Sequence, residues 1–392
     1  MRFKQVYLDN GASTQVDPLV IIEMNKYHQN NYANSSSTHS FGQDAKQALE
    51  NARKRLAKLL KAKPEEIIFT SGGTESNNFA IKGIAFANKD KNHIITTKVE
   101  HKCVLQSCKW LESQGYEVTY LNVDPNGFVK PEDLENAITD KTILFSVIHG
   151  NNEIGTIQDL TKLYEICKKH NVYLHTDACQ SFTKTEITSE HADLITLNAH
   201  KIHGPKGVGA LYIKKGVKIK QWQHGGDHEF AMRAGTENIP GIIGFVKSAE
   251  LATNQKHVEH ITKLRNKLID GILKIPEVRL NGPLGKNRLC NNANFSFKSI
   301  EGEALGGYLD QKNVCSSTGS ACTSKVLEPS HVLKGIGLSD EDANGSLRLT
   351  LSRFTTEDEI DYVLEVIPNI ITKLRRISPI GRLIKNVLKK SN

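Results

Sequence analysis

Short apolar runs alternate with segments of helical length between residue 66 and about residue 213. The runs EEIIFT, HIITT, YEVTYL, TILFSVI, VYLHTDA, DLITLN and GALYIK predict strands, and helix-like segments such as TESNNFAIKGIAFAN and PEDLENAI separate most of them. Strands joined by helical crossovers pair in parallel, because a parallel neighbour requires a long return connection. We therefore predict an α/β fold with a mostly parallel seven-stranded sheet and crossover helices.

The chain changes character after about residue 257, where a helical pattern ended by Pro276 is followed by short strand-like runs such as NANFSF. A chain of 392 residues exceeds the usual domain size of about 100 to 200 residues. We expect a large domain over residues 14–257, and a smaller α+β domain formed by residues 1–13 and 258–392.

Composition, cysteine spacing and charge argue against a membrane protein, a secreted protein and a nucleic-acid-binding protein. No apolar stretch approaches 18 residues, and the N-terminus lacks the apolar core of a secretory signal, so we expect a cytoplasmic protein without a membrane span. The seven cysteines form neither a C-x-x-C pair nor a zinc-type cluster, which fits a reducing compartment and no resident metal. The net charge of +8 is spread over many helices, so we expect no nucleic-acid site.

Lys201 in LNAHKIHGPKG and Asp177 in TDACQ each follow a strand-like run. The carboxyl ends of parallel strands meet at one edge of a sheet, where ligands usually bind. A deprotonated lysine forms an imine with an aldehyde, and a carboxylate beside a pyridinium nitrogen makes that ring an electron sink. The pair suggests pyridoxal phosphate, the alternative for Asp177 being a buried carboxylate that caps a loop.

Three further segments follow strands at the same predicted edge. Gly73 and Thr74 begin a helix, where free backbone N–H groups suit a phosphate, and an ordinary capped turn is an equal alternative. His101 lies at the start of the next helix, where an imidazole can stack on a ring or carry protons. Asn152 offers an amide to a cofactor or substrate, unless it only forms a turn.

Two candidates lie in the last quarter of the chain. Cys322 stands in SSTGSACTS, a polar and glycine-containing stretch in which a thiol is accessible to reagents. Arg348 in SLRLTLSRF alternates with apolar residues, so its guanidinium can point inward toward a carboxylate. Arg353 is the second candidate for that role.

The chain resembles the cysteine desulfurases of the NifS/IscS type, which belong to the class-V aminotransferases among the fold-type-I pyridoxal phosphate enzymes. The resemblance covers essentially the whole chain and rests on many motifs in the family's order. These motifs are YLDNGAST, FTSGGTESNN, VEHK, NNEIG, TDACQS, AHKIHGPKG, RAGTEN, EGE, STGSACTS and LEPSHVL.

The resemblance implies how the cofactor is held. Lys201 would bind pyridoxal phosphate covalently, Asp177 would contact its ring nitrogen, Gln180 its ring hydroxyl, and His101 would stack on the ring. Asn198 replaces the serine that is usual in the family. The residues expected to face the phosphate are Gly73, Thr74, Asn198, Ala199 and His200.

The resemblance also implies partners and the catalytic group. Thr236 would reach the phosphate of a second subunit, which implies a homodimer. Asn152 and Arg348 would bind L-cysteine, and Cys322 would be the nucleophile that accepts its sulfur. Cys322 also becomes a candidate transient iron–sulfur ligand, with no metal expected as enzyme cofactor.

The implied function is conversion of L-cysteine to L-alanine, with a persulfide left on Cys322. The sulfur would pass to a scaffold or carrier protein for iron–sulfur cluster assembly or tRNA thiolation. A selenocysteine lyase is the alternative within the same chemistry. A non-catalytic sulfur-relay or scaffold-binding protein is the alternative from a different class.

Overall fold

The computed structural model describes residues 5–318 and 329–377. The helices are α1 (Pro18–Gln29), α2 (Ser40–Leu59), α3 (Gly73–Ala87), α4 (Lys102–Glu112), α5 (Pro131–Ala137), α6 (Leu160–Lys169), α7 (Ile239–Ala252), α8 (Gln255–Ile272), α9 (Gly302–Asp310), α10 (His331–Gly335), α11 (Asp340–Asn344) and α12 (Glu357–Ile377), with 3-10 turns at Pro64–Glu66 and Gly285–Asn287. The strands are β1 (Val6–Tyr7), β2 (Ile67–Thr70), β3 (His93–Thr97), β4 (Glu117–Leu121), β5 (Thr142–Ile148), β6 (Tyr173–Asp177), β7 (Leu194–Asn198), β8 (Gly209–Ile213), β9 (Val278–Leu280), β10 (Asn292–Phe297), β11 (Val314–Cys315) and β12 (Ser346–Thr350).

A seven-stranded sheet in the order β2-β8-β7-β6-β5-β3-β4 forms the centre of the molecule. The predicted strands and the mostly parallel α/β fold are therefore confirmed. β8 is antiparallel to both of its neighbours, β2 and β7. The segment 199–208 between β7 and β8 contains no helix, so it reverses the chain direction instead of crossing over to a parallel position.

Both faces of this sheet are covered. Ile95, Phe145 and Leu174 pack into one apolar cluster with residues of α2 and α7. Their sequence neighbours Ile94 and Leu144 pack into another cluster with residues of α3 and α4. Successive strand side chains point to opposite faces, so a strand buried on both sides shows no polar alternation, as the run TILFSVI does.

A third apolar cluster contains residues from both the N-terminal and the C-terminal parts of the chain. Val6 and Leu8 pack with Leu268 of α8, Phe295 of β10 and Ile367 of α12. β12, β10 and β9 form an antiparallel sheet there, and β1 pairs in parallel with β11. The division into a large domain and a smaller domain, with boundaries at residues 14 and 257, stays a prediction.

Helices α1 and α7 were not predicted from the apolar pattern. Asp17 caps α1 and Asn238 caps α7, and each helix has proline in its first turn, a start signal that the sequence contains. The two helices pack against each other. Across residues 5–318 and 329–377, none of the helices combines the length and apolar character needed to cross a bilayer.

Candidate active site

Asp177 is the last residue of β6 and is only 4% exposed. Its Oδ2 accepts a hydrogen bond from Asn77 Nδ2 at 2.7 Å, and its Oδ1 accepts one from the Cys179 backbone N–H at 2.9 Å. Burial raises the pKa of this carboxyl, but the charges of His101 and Lys201 and the two hydrogen bonds outweigh burial and lower it. Asp177 is therefore a buried carboxylate that stays ionised.

Lys201 follows β7 in the turn that leads to β8, and its charge acts on both Asp177 and His101. The partly buried Lys184 contacts this turn, because its Nζ donates to the Lys201 carbonyl at 3.3 Å and to the Gln180 carbonyl at 2.9 Å. Burial lowers the pKa of Lys184 to about 8. The backbone carbonyl of Lys201 therefore accepts a hydrogen bond from the side chain of a second lysine, Lys184.

His101 is the N-cap of α4, and its Nδ1 accepts the Cys103 backbone N–H at 3.2 Å. Burial lowers the pKa of the imidazole, and the charge of Lys201 lowers it further, against the opposing charge of Asp177. The neutral ring is therefore favoured, with its proton on Nε2 because Nδ1 is an acceptor. Such a ring can stack on another ring or hold a proton.

The start of α3 leaves no room for a side chain. A Cβ on Gly73 would lie 2.5 Å from Cys179 Sγ. The same hypothetical Cβ would lie 3.6 Å from Asn198 Nδ2, which places the Asn198 amide beside the helix start. Asn198 Oδ1 is buried and has no hydrogen-bond partner in the part of the chain that the structure describes, and Asn198 Nδ2 lies 3.3 Å from His200 Nε2. The Ala199 N–H donates to the Val208 carbonyl, so it is already engaged.

Three other predicted residues surround the same edge of the sheet. Gln180 Nε2 donates to the Gly11 carbonyl at 2.8 Å, which fixes the Gln180 side chain. The Asn152 carbonyl accepts from Arg348 Nη1 at 2.9 Å, while the buried Asn152 Oδ1 has no hydrogen-bond partner within the described residues. Arg348 and Asn152, distant in the sequence, are therefore brought into contact.

Some of the predicted residues do not lie at this edge of the sheet, or lie outside the described residues. Thr236 is exposed and lines a separate surface groove of about 270 Å³ with Tyr32 and Ser35. Cys322 and the C-terminal segment 378–392 lie outside the described residues. Arg353, the second candidate for carboxylate binding, has its Nη2 paired with Asp17 Oδ2 at 2.5 Å.

Sequence reasoning missed several residues of the site. Asn77 fixes Asp177, Lys184 supports Lys201, and Asp9 Oδ1 lies 3.1 Å from Arg348 Nη2. Asn77 and Asp9 belong to the motifs FTSGGTESNN and YLDNGAST, so the motifs were visible but their partners were not.

A profile of the family described as "Aminotransferase class-V" matches residues 6–363. The chain belongs to the class-V aminotransferase family. Within this family it is 52% identical over 384 residues to "Cysteine desulfurase IscS" of Clostridium botulinum, covering 96% of this chain and 97% of that protein. It is 51% identical over 382 residues to the protein of the same name from Methanosarcina thermophila, covering 96% and 94%.

Two solved structures share the fold of this chain. A "NifS-like protein" superposes with a TM-score of 0.89 at 39% identity, covering 94% of this chain and 99% of that one. "SspA in complex with cysteine" superposes with a TM-score of 0.79 at 35% identity, covering 90% and 100%. These findings confirm the resemblance to NifS/IscS-type cysteine desulfurases.

Proposed function

We propose that the protein is a pyridoxal phosphate-dependent cysteine desulfurase that converts L-cysteine to L-alanine and retains the sulfur as a persulfide. The observation that carries the proposal is the joining of two sets of residues at one sheet edge. The buried Asp177 lies within electrostatic range of His101 and Lys201, and Arg348 contacts Asn152 at the same edge. Membership of a family whose relatives are named cysteine desulfurases supports the same reading.

The residues present fit pyridoxal phosphate. Asp177 offers a buried, ionised carboxylate of the kind that holds a pyridinium proton. Gly73 provides a helix start without a side chain, beside the buried Asn198 Oδ1 that lacks a partner. Gln180 would contact the ring hydroxyl and Lys201 would supply the covalent link. The proposed phosphate residues are Gly73, Thr74, Asn198, Ala199 and His200.

The bound cofactor supplies an electron sink for charge released at the substrate Cα. Arg348 binds the substrate α-carboxylate through its guanidinium, and Asn152 orients it. Lys201 Nζ moves the proton at the substrate Cα, and Asp177 keeps the ring nitrogen protonated. His101 holds a proton on Nε2 and would stack on the cofactor ring.

Cys322 is proposed as the sulfur acceptor, although it lies outside the described residues. Its thiolate attacks the substrate Sγ, so an S–S bond forms while the Cβ–Sγ bond breaks and its electrons pass to carbon. Proton uptake at carbon then yields alanine. A protein scaffold or sulfur carrier would receive the sulfur for iron–sulfur cluster assembly or tRNA thiolation.

Alanine formation by the purified holoenzyme tests this function. We expect L-cysteine to give alanine and a persulfide that mass spectrometry locates at Cys322. Cys322→Ser should still bind cofactor and cysteine, but persulfide formation should fall by at least about 100-fold because the nucleophile is lost.

Two outcomes would contradict the proposal. Sulfur found on another cysteine would move the nucleophile, and absence of alanine from the wild-type holoenzyme would remove the function. Parallel assays with L-selenocysteine distinguish the lyase alternative, which requires a strong preference for the selenium substrate.

A further inference from the structure

The guanidinium of Arg348 has two hydrogen-bond partners among the described residues. It lies on β12 and is 7% exposed. Its Nη1 donates to the Asn152 carbonyl at 2.9 Å, and its Nη2 donates to Asp9 Oδ1 at 3.1 Å. Its Nε is buried and has no hydrogen-bond partner among residues 5–318 and 329–377. An incoming carboxylate would therefore meet a guanidinium that already pairs with one carboxylate.

Asp9 is fixed at this place by the backbone. It forms an isolated bridge with Thr350, and the N–H groups of Ala12 and Ser13 donate to its carbonyl. Arg348 is the hydrogen-bond partner of its side chain in the described part of the chain. Burial raises the pKa of Asp9, and the opposing effect of Arg348 is smaller. Arg348 therefore offsets only part of the cost of burying the ionised Asp9 carboxylate.

The neighbouring pair of Asp17 and Arg353 shows a different arrangement. Asp17 Oδ2 lies 2.5 Å from Arg353 Nη2, and Asp17 Oδ1 also accepts the Leu19 N–H at 2.8 Å as the cap of α1. Although burial raises the pKa of Asp17, these contacts lower it overall. Asp17 is thus compensated by two partners, which is the pattern of a structural ion pair.

We propose that Asp9 is a positioning residue that orients Arg348 and lowers its affinity for the α-carboxylates of substrate and product. The inference rests on the proposed function. When the amino acid binds, two carboxylates share one guanidinium, and their mutual repulsion weakens binding. The product alanine carries the same α-carboxylate as cysteine, so Asp9 favours its release as well.

Asp9→Asn in the holoenzyme is the decisive variant, because its amide oxygen still accepts from Arg348 while the charge is gone. Calorimetry with 3-mercaptopropionate measures carboxylate binding without turnover, and cysteamine, which has no carboxylate but has an amine that condenses with the cofactor aldehyde, shows whether the variant alters binding at the cofactor itself. We expect Kd for 3-mercaptopropionate to fall about three- to tenfold and Kd for cysteamine to stay unchanged. KM for L-cysteine and the inhibition constant of L-alanine should fall by a similar factor.

Asp17→Asn is the matched control and should leave all four constants unchanged. Weaker or unchanged binding of 3-mercaptopropionate by Asp9→Asn would overturn the inference, as would equal tightening in Asp17→Asn. Asp9→Ser serves if Asp9→Asn does not fold, and should shift binding in the same direction. Should the wild-type holoenzyme form no alanine while the binding pattern holds, the proposed function alone fails.

Discussion

Two buried acidic residues at the same edge of the sheet have pKa values shifted in opposite directions. Asp177 and Glu100 are both inside the protein. Burial raises the pKa of Asp177, but His101, Lys201 and two hydrogen-bond donors outweigh burial and lower this pKa overall. Glu100 accepts from Thr97 Oγ1 and the Ile148 N–H through Oε1 only, while Oε2 has no partner. Burial therefore dominates and raises the pKa of Glu100 to about 8.

Glu100 should make stability depend on pH. A carboxyl with a raised pKa stabilises the folded state most at low pH, and this contribution is lost as pH rises from about 4.5 to about 8. Between pH 5 and pH 8, the free energy of unfolding should decrease less in Glu100→Gln than in wild type. The difference between the two decreases should be about 1 kcal/mol or more. Urea denaturation at the two pH values measures this difference.

Glu65→Gln is the control for this measurement, because Glu65 is exposed. It should change stability equally at both pH values. Identical losses in wild type and Glu100→Gln would show that Glu100 ionises normally in the folded protein.

At the scale of elements, the junction between β2 and α3 depends on a close approach to the loop after β6. The position of a Gly73 Cβ would be 2.5 Å from Cys179 Sγ, far inside van der Waals contact. Gly72 precedes it with φ of 151°, a conformation that side chains rarely adopt. The helix start can therefore approach a ligand through its backbone.

Gly73→Ala should displace this helix start and lower the affinity for pyridoxal phosphate by about tenfold or more, because phosphate contacts require a fixed backbone. Absorbance titration of the cofactor-free protein measures the affinity. In the double variant with Cys179→Ala, most of the affinity should return, since the clashing sulfur is removed. Wild-type affinity in Gly73→Ala alone would exclude Gly73 from the phosphate site.

At the scale of the whole molecule, α1 exposes an apolar face. Leu19, Ile21 and Ile22 are 53%, 46% and 58% exposed, and Tyr32 beyond the helix is 71% exposed. Exposed apolar residues gathered on one face are typical of a subunit interface. The groove that contains Thr236 adjoins this region, which fits the predicted contribution of Thr236 to a partner subunit.

Ile22→Lys should therefore convert the predicted homodimer into monomers and weaken cofactor binding, because a buried charge without a partner destabilises an interface. Sedimentation velocity over a concentration series measures the change. Leu284→Lys is the matched control, since Leu284 is 65% exposed and lies between β9 and β10. Dimers of unchanged stability in Ile22→Lys would place the interface elsewhere.

The strands of the central sheet, the helices between them and the motifs of the site could be predicted from the sequence, because apolar periodicity and turn residues act over a few neighbours. The antiparallel direction of β8 could not, since it depends on how the segment with Lys201 returns to the sheet. The contact between Arg348 and Asp9 spans 339 residues of chain. Such contacts leave no local pattern, so only the packing of distant segments decides which charge each group meets.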